Sequence, residues 1–209
     1  EVELVRFDFE AEELARDERG LLVPCDDDEP GLLLARLDAD HPLASFTGGD
    51  EAGRRLLQGV FEPNDTWFVT WDVVRRDADG DYWFVDRLSR MLRTARGVVS
   101  TRTIEDALYD FAALRHTVVY GLEGDGVEQP VAVVVTEGNR ALDLDAWNRF
   151  TAGLNSIERP AWVKRVERIP MTDGFRPDKS AVELDPLDQG AELFVYDAAA
   201  RRYRAASGW

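Results

Sequence analysis

One stretch constrains this chain more than any other: residues 67–101, WFVTWDVVRRDADGDYWFVDRLSRMLRTARGVVST. Residues 67–74 are dense in aromatic and β-branched side chains and predict a strand, interrupted by a single carboxylate, Asp72. Residues 77–81 supply turn chemistry, with Gly80 free to take a positive φ. Residues 82–85 open a second apolar run, so the two strands form a hairpin. That hairpin carries Asp72 and the pair Asp86-Arg87 toward one end of a sheet. A carboxylate accepts two hydroxyl hydrogen bonds and a guanidinium offers a planar fork of donors, so the set suits a vicinal diol. On spacing alone, an ion pair at a sheet edge is the simpler account.

A chain of 209 residues holds one large domain or two small ones. No apolar run approaches the ~18 residues needed to span a bilayer. With 41 acidic against 25 basic residues the net charge is −16, a field that repels nucleic acid and anionic membrane surfaces alike. The single Cys25 excludes an internal disulfide, and His41 and His116 lack ligand spacing, so no metal site built from side chains is expected. The acidic run 26–29 reads as a solvated loop. The sequence opens on Glu1 rather than Met, directly into a strand pattern and without a leader, which fits a piece of something longer.

Along the chain, residues 1–9, 21–23 and 31–37 read as strands, the last buried on both faces. Leu56, Leu57 and Val60 fall at helical spacing behind Asp50 as N-cap, predicting a helix over 50–60. Short strands at this spacing indicate a small β-barrel or sandwich. Beyond residue 90, residues 91–99 form an antiparallel excursion. Ser100 or Thr101 then caps a helix over 103–109 with acids in its first turn and Ile104, Leu108 and Phe111 on one face. Strands follow over 117–122 and 130–136, joined by an acidic glycine-rich turn that is a poor phosphate cradle. Leu144, Trp147, Phe150 and Leu154 mark a helix over 143–154. Residues 162–169 alternate as a strand, 170–175 form a loop, and one last strand occupies 193–196. The fold class is α+β.

The central stretch resembles the adenylate-forming acyl-CoA synthetases, in which a strand ending Thr-Gly-Asp precedes Asp-x-Asp-Gly-Tyr and Asp-Arg. Here the residues are Thr70-Trp71-Asp72, Asp77-Ala78-Asp79-Gly80-Asp81-Tyr82 and Asp86-Arg87. Phe84-Val85-Asp86-Arg87-Leu88 and Val99-Ser100-Thr101 are similar to the fatty-acid transport protein and very-long-chain acyl-CoA synthetase branch. The resemblance implies that residues 1–87 are the β-rich end of an N-terminal adenylation domain. Residues 88–209 are then a mobile α/β C-terminal domain swinging about a hinge near Ser89. It implies the C-terminal portion of a long-chain or very-long-chain fatty acid–CoA ligase. ATP, CoA and Mg²⁺ would be ligands of the complete enzyme, none held tightly by these residues alone. The partners would be the N-terminal remainder and a fatty acid. The setting would be cytoplasmic, with peripheral membrane contact only through parts outside this sequence.

Under the same resemblance Asp72 holds the ribose hydroxyls and Arg87 assists at ribose or phosphate. Arg176, in Thr172-Asp173-Gly174-Phe175-Arg176, occupies the position of the adenylation lysine, and Lys179 matches a second lysine. An adenylation cation stabilises charge developing between carboxylate and α-phosphate. Several residues depart from the pattern. Trp71 stands at a glycine, residues 93–98 replace Arg-Trp-Lys-Gly-Glu-Asn near the active site and pantetheine path, and Arg90 stands at an aspartate. The phosphate loop and acyl pocket precede this region in the family, so the chain alone is expected to be inactive. The alternatives are a degenerate, non-catalytic homologue serving as a binding or regulatory module, and a stand-alone α/β interaction domain whose Asp-Arg pair is structural.

Overall fold

A computed structural model describes residues 1–38, 55–183 and 192–206. The chain divides into two compact units, Glu1–Ser89 and Arg90–Trp209. The architecture is α+β and mostly strand.

The first unit contains β1 (Val2–Val5), β2 (Phe7–Asp8), β3 (Glu13–Leu14), β4 (Gly31–Arg36), β5 (Leu56–Gln58), β6 (Thr66–Arg76) and β7 (Tyr82–Arg87). An antiparallel sheet runs β1-β4-β6-β5, with β7 also paired to β6. β5 pairs with residues 66–68 of β6 and β7 with residues 72–76, while β2 and β3 form a separate ribbon. Leu32, Leu34, Val69 and Val73 are almost fully buried, whereas Leu4, Cys25, Val74 and the half-buried Leu33 form a second apolar cluster. β4 therefore contributes apolar side chains to two packed clusters, as its GLLLAR sequence requires. Gly31 has no room for a side chain: a Cβ there would collide with the Cys25 sulfur and the Val5 carbonyl. Burial, with Glu29 nearby, pushes the Cys25 thiol up to about 12, so Cys25 is packing material rather than a nucleophile.

Three expectations for this unit are corrected. Leu56 and Leu57 lie in strand β5, not a helix, because they complete the edge of β6; the proposed cap Asp50 lies outside the described residues. Leu22 makes an isolated bridge with Arg16, and Pro24 one with Val5, in place of a strand over 21–23. The central strand expected over 67–74 runs from Thr66 to Arg76, passing Asp72 through an irregularity. Leu32 faces Val73 and Leu34 faces Val69, so residues 70–72 bulge out of the ladder.

The second unit contains β8 (Met91–Thr94), β9 (Gly97–Ser100), α1 (Thr101–Tyr109), β10 (Leu114–Gly124), β11 (Val127–Thr136), α2 (Leu144–Thr151), β12 (Trp162–Arg165), α3 (Lys179–Glu183), β13 (Glu192–Asp197) and β14 (Arg202–Ala205). Its sheet order is β10-β11-β12-β13-β14, antiparallel except for β11 with β12, whose parallel connection passes through α2. Val119, Ala132, Val134, Val163 and Phe194 pack with Ile104 and Leu108 of α1, Trp147 of α2 and Tyr203. Val118, Tyr120, Val131 and Val133 pack with Ile169 and Val182 in a separate cluster. The apolar run of β11 is thus covered on both faces.

The helix predicted from residue 103 begins at Thr101, where the Ser100 side chain accepts from the Thr103 N–H at 2.9 Å. Its acids Glu105 and Asp106 consequently fall beyond the first turn. β12 ends at Arg165 rather than 169, and the final segment holds two strands, not one. Among the described residues no helix is long and apolar enough to cross a membrane.

Candidate functional site

The bulge at residues 70–72 sets the site in the first unit. The Thr70 hydroxyl donates to the Leu33 carbonyl at 2.9 Å and accepts from the Asp72 N–H at 3.1 Å, pinning the irregularity from both sides. Between these two residues Trp71 adopts φ +62°. L-residues pay about 1–2 kcal/mol for this left-handed region, which glycine enters freely.

Asp72 and Arg87 are register partners across β6 and β7. The Arg87 Nε lies 3.6 Å from Asp72 Oδ1, an ion pair too long to be a hydrogen bond. Arg87 is 65% exposed, whereas Asp72 is 30% exposed and its Oδ1 is buried without a hydrogen bond. The partly exposed Asp72 carboxylate beside the exposed fork of Arg87 is the pairing of acceptor and donors that a diol requires, although Oδ1 itself is closed to solvent. Asp86 serves differently: it is buried, and its Oδ1 accepts from the Arg87 N–H at 2.9 Å. A cleft of about 380 Å³ opens beside Arg87, lined by Glu12, Arg55, Trp71, Arg87, Leu88 and Ser89, and Asp72 is not part of its wall.

In the second unit, Met171 bridges Pro177 and closes a small loop. The Thr172 N–H donates to the Arg176 carbonyl at 2.8 Å, and the Phe175 N–H to the Thr172 carbonyl at 2.9 Å. Phe175 takes φ +55° and is 87% exposed, and Arg176 beside it is exposed and makes no side-chain ion pair among the described residues. Lys179 is placed otherwise. Its Nζ lies 2.8 Å from Glu105 Oε1 and donates to Thr101 Oγ1 at 3.0 Å, tying the start of α3 to α1. The same Glu105 oxygen accepts the Val119 N–H at 2.7 Å. One of the two sequence-derived cations is thus free and the other engaged.

The departing segment 93–98 is the β8–β9 hairpin. Gly97 takes φ +115° at its tip, and the Arg96 guanidinium donates to the carbonyls of Ser156 and Arg159, the latter at 2.8 Å. Burial, the dominant influence, lowers the Arg96 pKa. Among the described residues no group of three His, Cys, Asp or Glu side chains is placed to hold a metal ion.

Sequence reasoning missed two features of these sites. The left-handed conformation of Trp71 has no local sequence signal other than its place at a glycine in the resembling motif. Glu105 as the partner of Lys179 depends on a contact 74 residues away in sequence.

This fold is that of the adenylate-forming ligases. Similar solved structures include the anthranilate CoA ligase AuaEII in complex with anthranoyl-AMP, at TM-score 0.62 and 23% identity over 88% of this chain and 32% of that one. MatB from Rhodopseudomonas palustris, in its ATP-bound form, matches at TM-score 0.65 and 14% identity over 87% of this chain and 33% of that one. No family model matches the sequence. Sequence relatives narrow the class. Long-chain fatty acid transport protein 5 of Homo sapiens is 30% identical over 209 residues, covering 97% of this chain and 30% of that protein. Long-chain fatty acid transport protein 1 of Mus musculus is 28% identical over 210 residues, covering 97% and 32%. The chain is a homologue of the C-terminal part of the long-chain fatty acid transport proteins, and it spans about a third of the length of those relatives.

Proposed function

We propose that this chain is the C-terminal portion of a long-chain or very-long-chain fatty acid–CoA ligase. In such a reaction a carboxylate oxygen attacks the α-phosphorus of ATP and pyrophosphate leaves. The CoA thiol sulfur then attacks the acyl carbon and AMP leaves. The observation that carries the reading is Asp72 and Arg87, side by side across β6 and β7, a partly exposed carboxylate beside an exposed guanidinium. In this reading Asp72 accepts from the ribose hydroxyls, Arg87 donates at ribose or phosphate, and Arg176 supplies the cation for developing charge at the α-phosphate. Ser89 is the hinge about which the second unit moves. Mg²⁺ would accompany the nucleotide in the complete enzyme. The phosphate loop and acyl pocket lie outside these residues, so the chain by itself forms no acyl-adenylate.

A second reading, a non-catalytic homologue that keeps nucleotide binding alone, draws on Arg176. A planar guanidinium does not place its charge as a flexible ammonium does. Two measurements decide. AMP binding to this chain should weaken about tenfold in Asp72→Ala, the loss of one charged hydrogen bond of roughly 1.4 kcal/mol; unchanged affinity refutes the ribose assignment. In the longer protein, Arg176→Lys should raise fatty-acid-dependent pyrophosphate release if the loop acts in adenylation. Absence of release from both forms favours the binding module.

A further inference from the structure

The loop that presents Arg176 stands on a stem whose anchoring the nucleotide reading leaves unused. Its two sides are joined by the Asp178 N–H, which donates to the Pro170 carbonyl at 2.8 Å, and by the bridge between Met171 and Pro177. Above them the Thr172 N–H meets the Arg176 carbonyl, so the turn is closed up to its exposed tip at Phe175 and Arg176. One side of the stem is fixed by Ile169, buried in the same apolar cluster as Val182 of α3. The other side runs straight into α3, a helix of only five residues. A helix this short has no stability of its own and takes its direction from tertiary contacts. Asp178 Oδ1 accepts from the Ala181 N–H at 3.1 Å, a local cap that cannot aim the helix. Val182 and, at the first position, Lys179 do aim it.

The Lys179 ammonium is held between two oxygens that are themselves fixed. Thr101 is fully buried at the start of α1, and Glu105 Oε1 also accepts the Val119 N–H of β10. The Lys179 and Glu105 side chains are only 25% and 19% exposed, and a charged pair so placed holds a geometry that a surface pair does not. Lys179 lies three residues from Arg176, and Pro177 between them has a locked φ, so the place of the ammonium is passed on to the loop. A cation that stabilises developing charge must stay within about 0.5 Å of its productive position. An exposed guanidinium at a loop tip meets that demand through a rigid base.

We propose that Lys179, clamped by Glu105 and Thr101, is a positioning residue for Arg176 and not a second catalytic cation. The inference rests on the reading of Arg176 as the adenylation cation and adds to it the pair that fixes its loop.

Two readouts test it, one on this chain and one on the longer protein. In the ¹⁵N-labelled chain, Lys179→Met and Glu105→Gln should each speed amide hydrogen exchange at Thr172 and Asp178 about fivefold beyond any change at Val134 and Val163 of the sheet. Lys179→Arg, which keeps the charge, should stay near the parent. In the longer protein the first two variants should lower kcat for fatty-acid-dependent pyrophosphate release about tenfold and change KM for ATP less than about twofold. Their double variant should be no slower than either alone, and Lys179→Arg should recover most of kcat. Exchange at Thr172 and Asp178 unchanged in both variants overturns the proposal. So does a Glu105→Gln enzyme that keeps its kcat while Lys179→Met loses it, which would make Lys179 itself a contact of the reacting groups. Failure of the adenylation reading looks different. No pyrophosphate release from the parent or from Arg176→Lys, with loop exchange still faster in Lys179→Met, retains the clamp and removes Arg176 from adenylation.

Discussion

Trp71 carries a conformational cost that its neighbours enforce, since Thr70 holds the bulge through both of its hydroxyl bonds. Trp71→Gly should relieve the left-handed strain of about 1–2 kcal/mol and forfeit roughly 0.4–1 kcal/mol to unfolded-chain entropy. A net gain of about 0.5–1 kcal/mol in the first unit is expected, read as a higher urea midpoint; a loss would mean that the indole packs more than its exposure implies. Asp65 is the opposite kind of residue, stabilised by every contact it makes. It is buried and accepts from the N–H groups of Val60, Phe61 and Glu62 at 2.8, 2.9 and 3.0 Å, and from the Trp67 indole at 2.9 Å. Burial alone would raise its pKa, but these donors outweigh burial and lower it. A folded pKa below the unfolded value means that the carboxylate stabilises fully above the unfolded pKa of about 3.9 and loses that contribution as pH falls through the folded one. Asp65→Asn should therefore cost about 3 kcal/mol at neutral pH, by leaving buried donors unmatched, and should flatten the acid limb of the stability curve. A parallel shift of the whole curve, with the acid limb unchanged, would contradict the assignment.

At the scale of elements, the strands whose burial alternates or is continuous were legible because their side chains repeat the geometry of the sheet. β6, β7, β10 and β11 all follow from runs of aromatic and β-branched residues. Leu56 and Leu57 were not legible, since a pair of adjacent leucines followed by Val60 satisfies a helical spacing as well as a short edge strand. Pairing with Thr66, Trp67 and Phe68 decides between them. β14 is hidden for another reason: of Arg202–Ala205 only Tyr203 is buried, so a single apolar residue marks the strand. Of the candidate site, the juxtaposition of Asp72 and Arg87 was readable from hairpin and motif. The status of Lys179 was not, because its partner Glu105 lies on another helix. That Glu105 oxygen meets Lys179 of α3 and the Val119 amide of β10, so it links three elements. Lys179→Met and Glu105→Gln should each destabilise the second unit, with a double-mutant coupling of about 1 kcal/mol for this half-buried pair. Arg176→Lys should leave the same denaturation curve unmoved. Strictly additive effects of the first two would show that the lysine is not committed to this contact.

Across the whole molecule the negative charge is unevenly shared. Glu1–Ser89 holds 23 acidic and 9 basic residues, whereas Arg90–Trp209 holds 18 and 16. The acidity therefore belongs to the first unit and the second is close to neutral. Ion pairs such as Arg6 with Asp26 and Glu29, and Arg36 with Glu1, already occupy cations of the first unit. The remaining carboxylates repel one another, and such self-repulsion disfavours the compact state. Screening acts within about 10 Å at 0.1 M salt and about 3 Å at 1 M, so added salt removes long-range repulsion before it dissolves contact pairs. NaCl between 0.1 and 1 M should thus raise the denaturation midpoint of the first unit and leave that of the second nearly fixed. The full chain can report both at once through the indole resonances of Trp67 and Trp147, buried in the respective units. Equal shifts at both probes would instead indicate a general salting effect on apolar burial. A fall at Trp67 would mean that the surface ion pairs contribute more than the excess carboxylates oppose, and that the acidity of this unit is locally compensated.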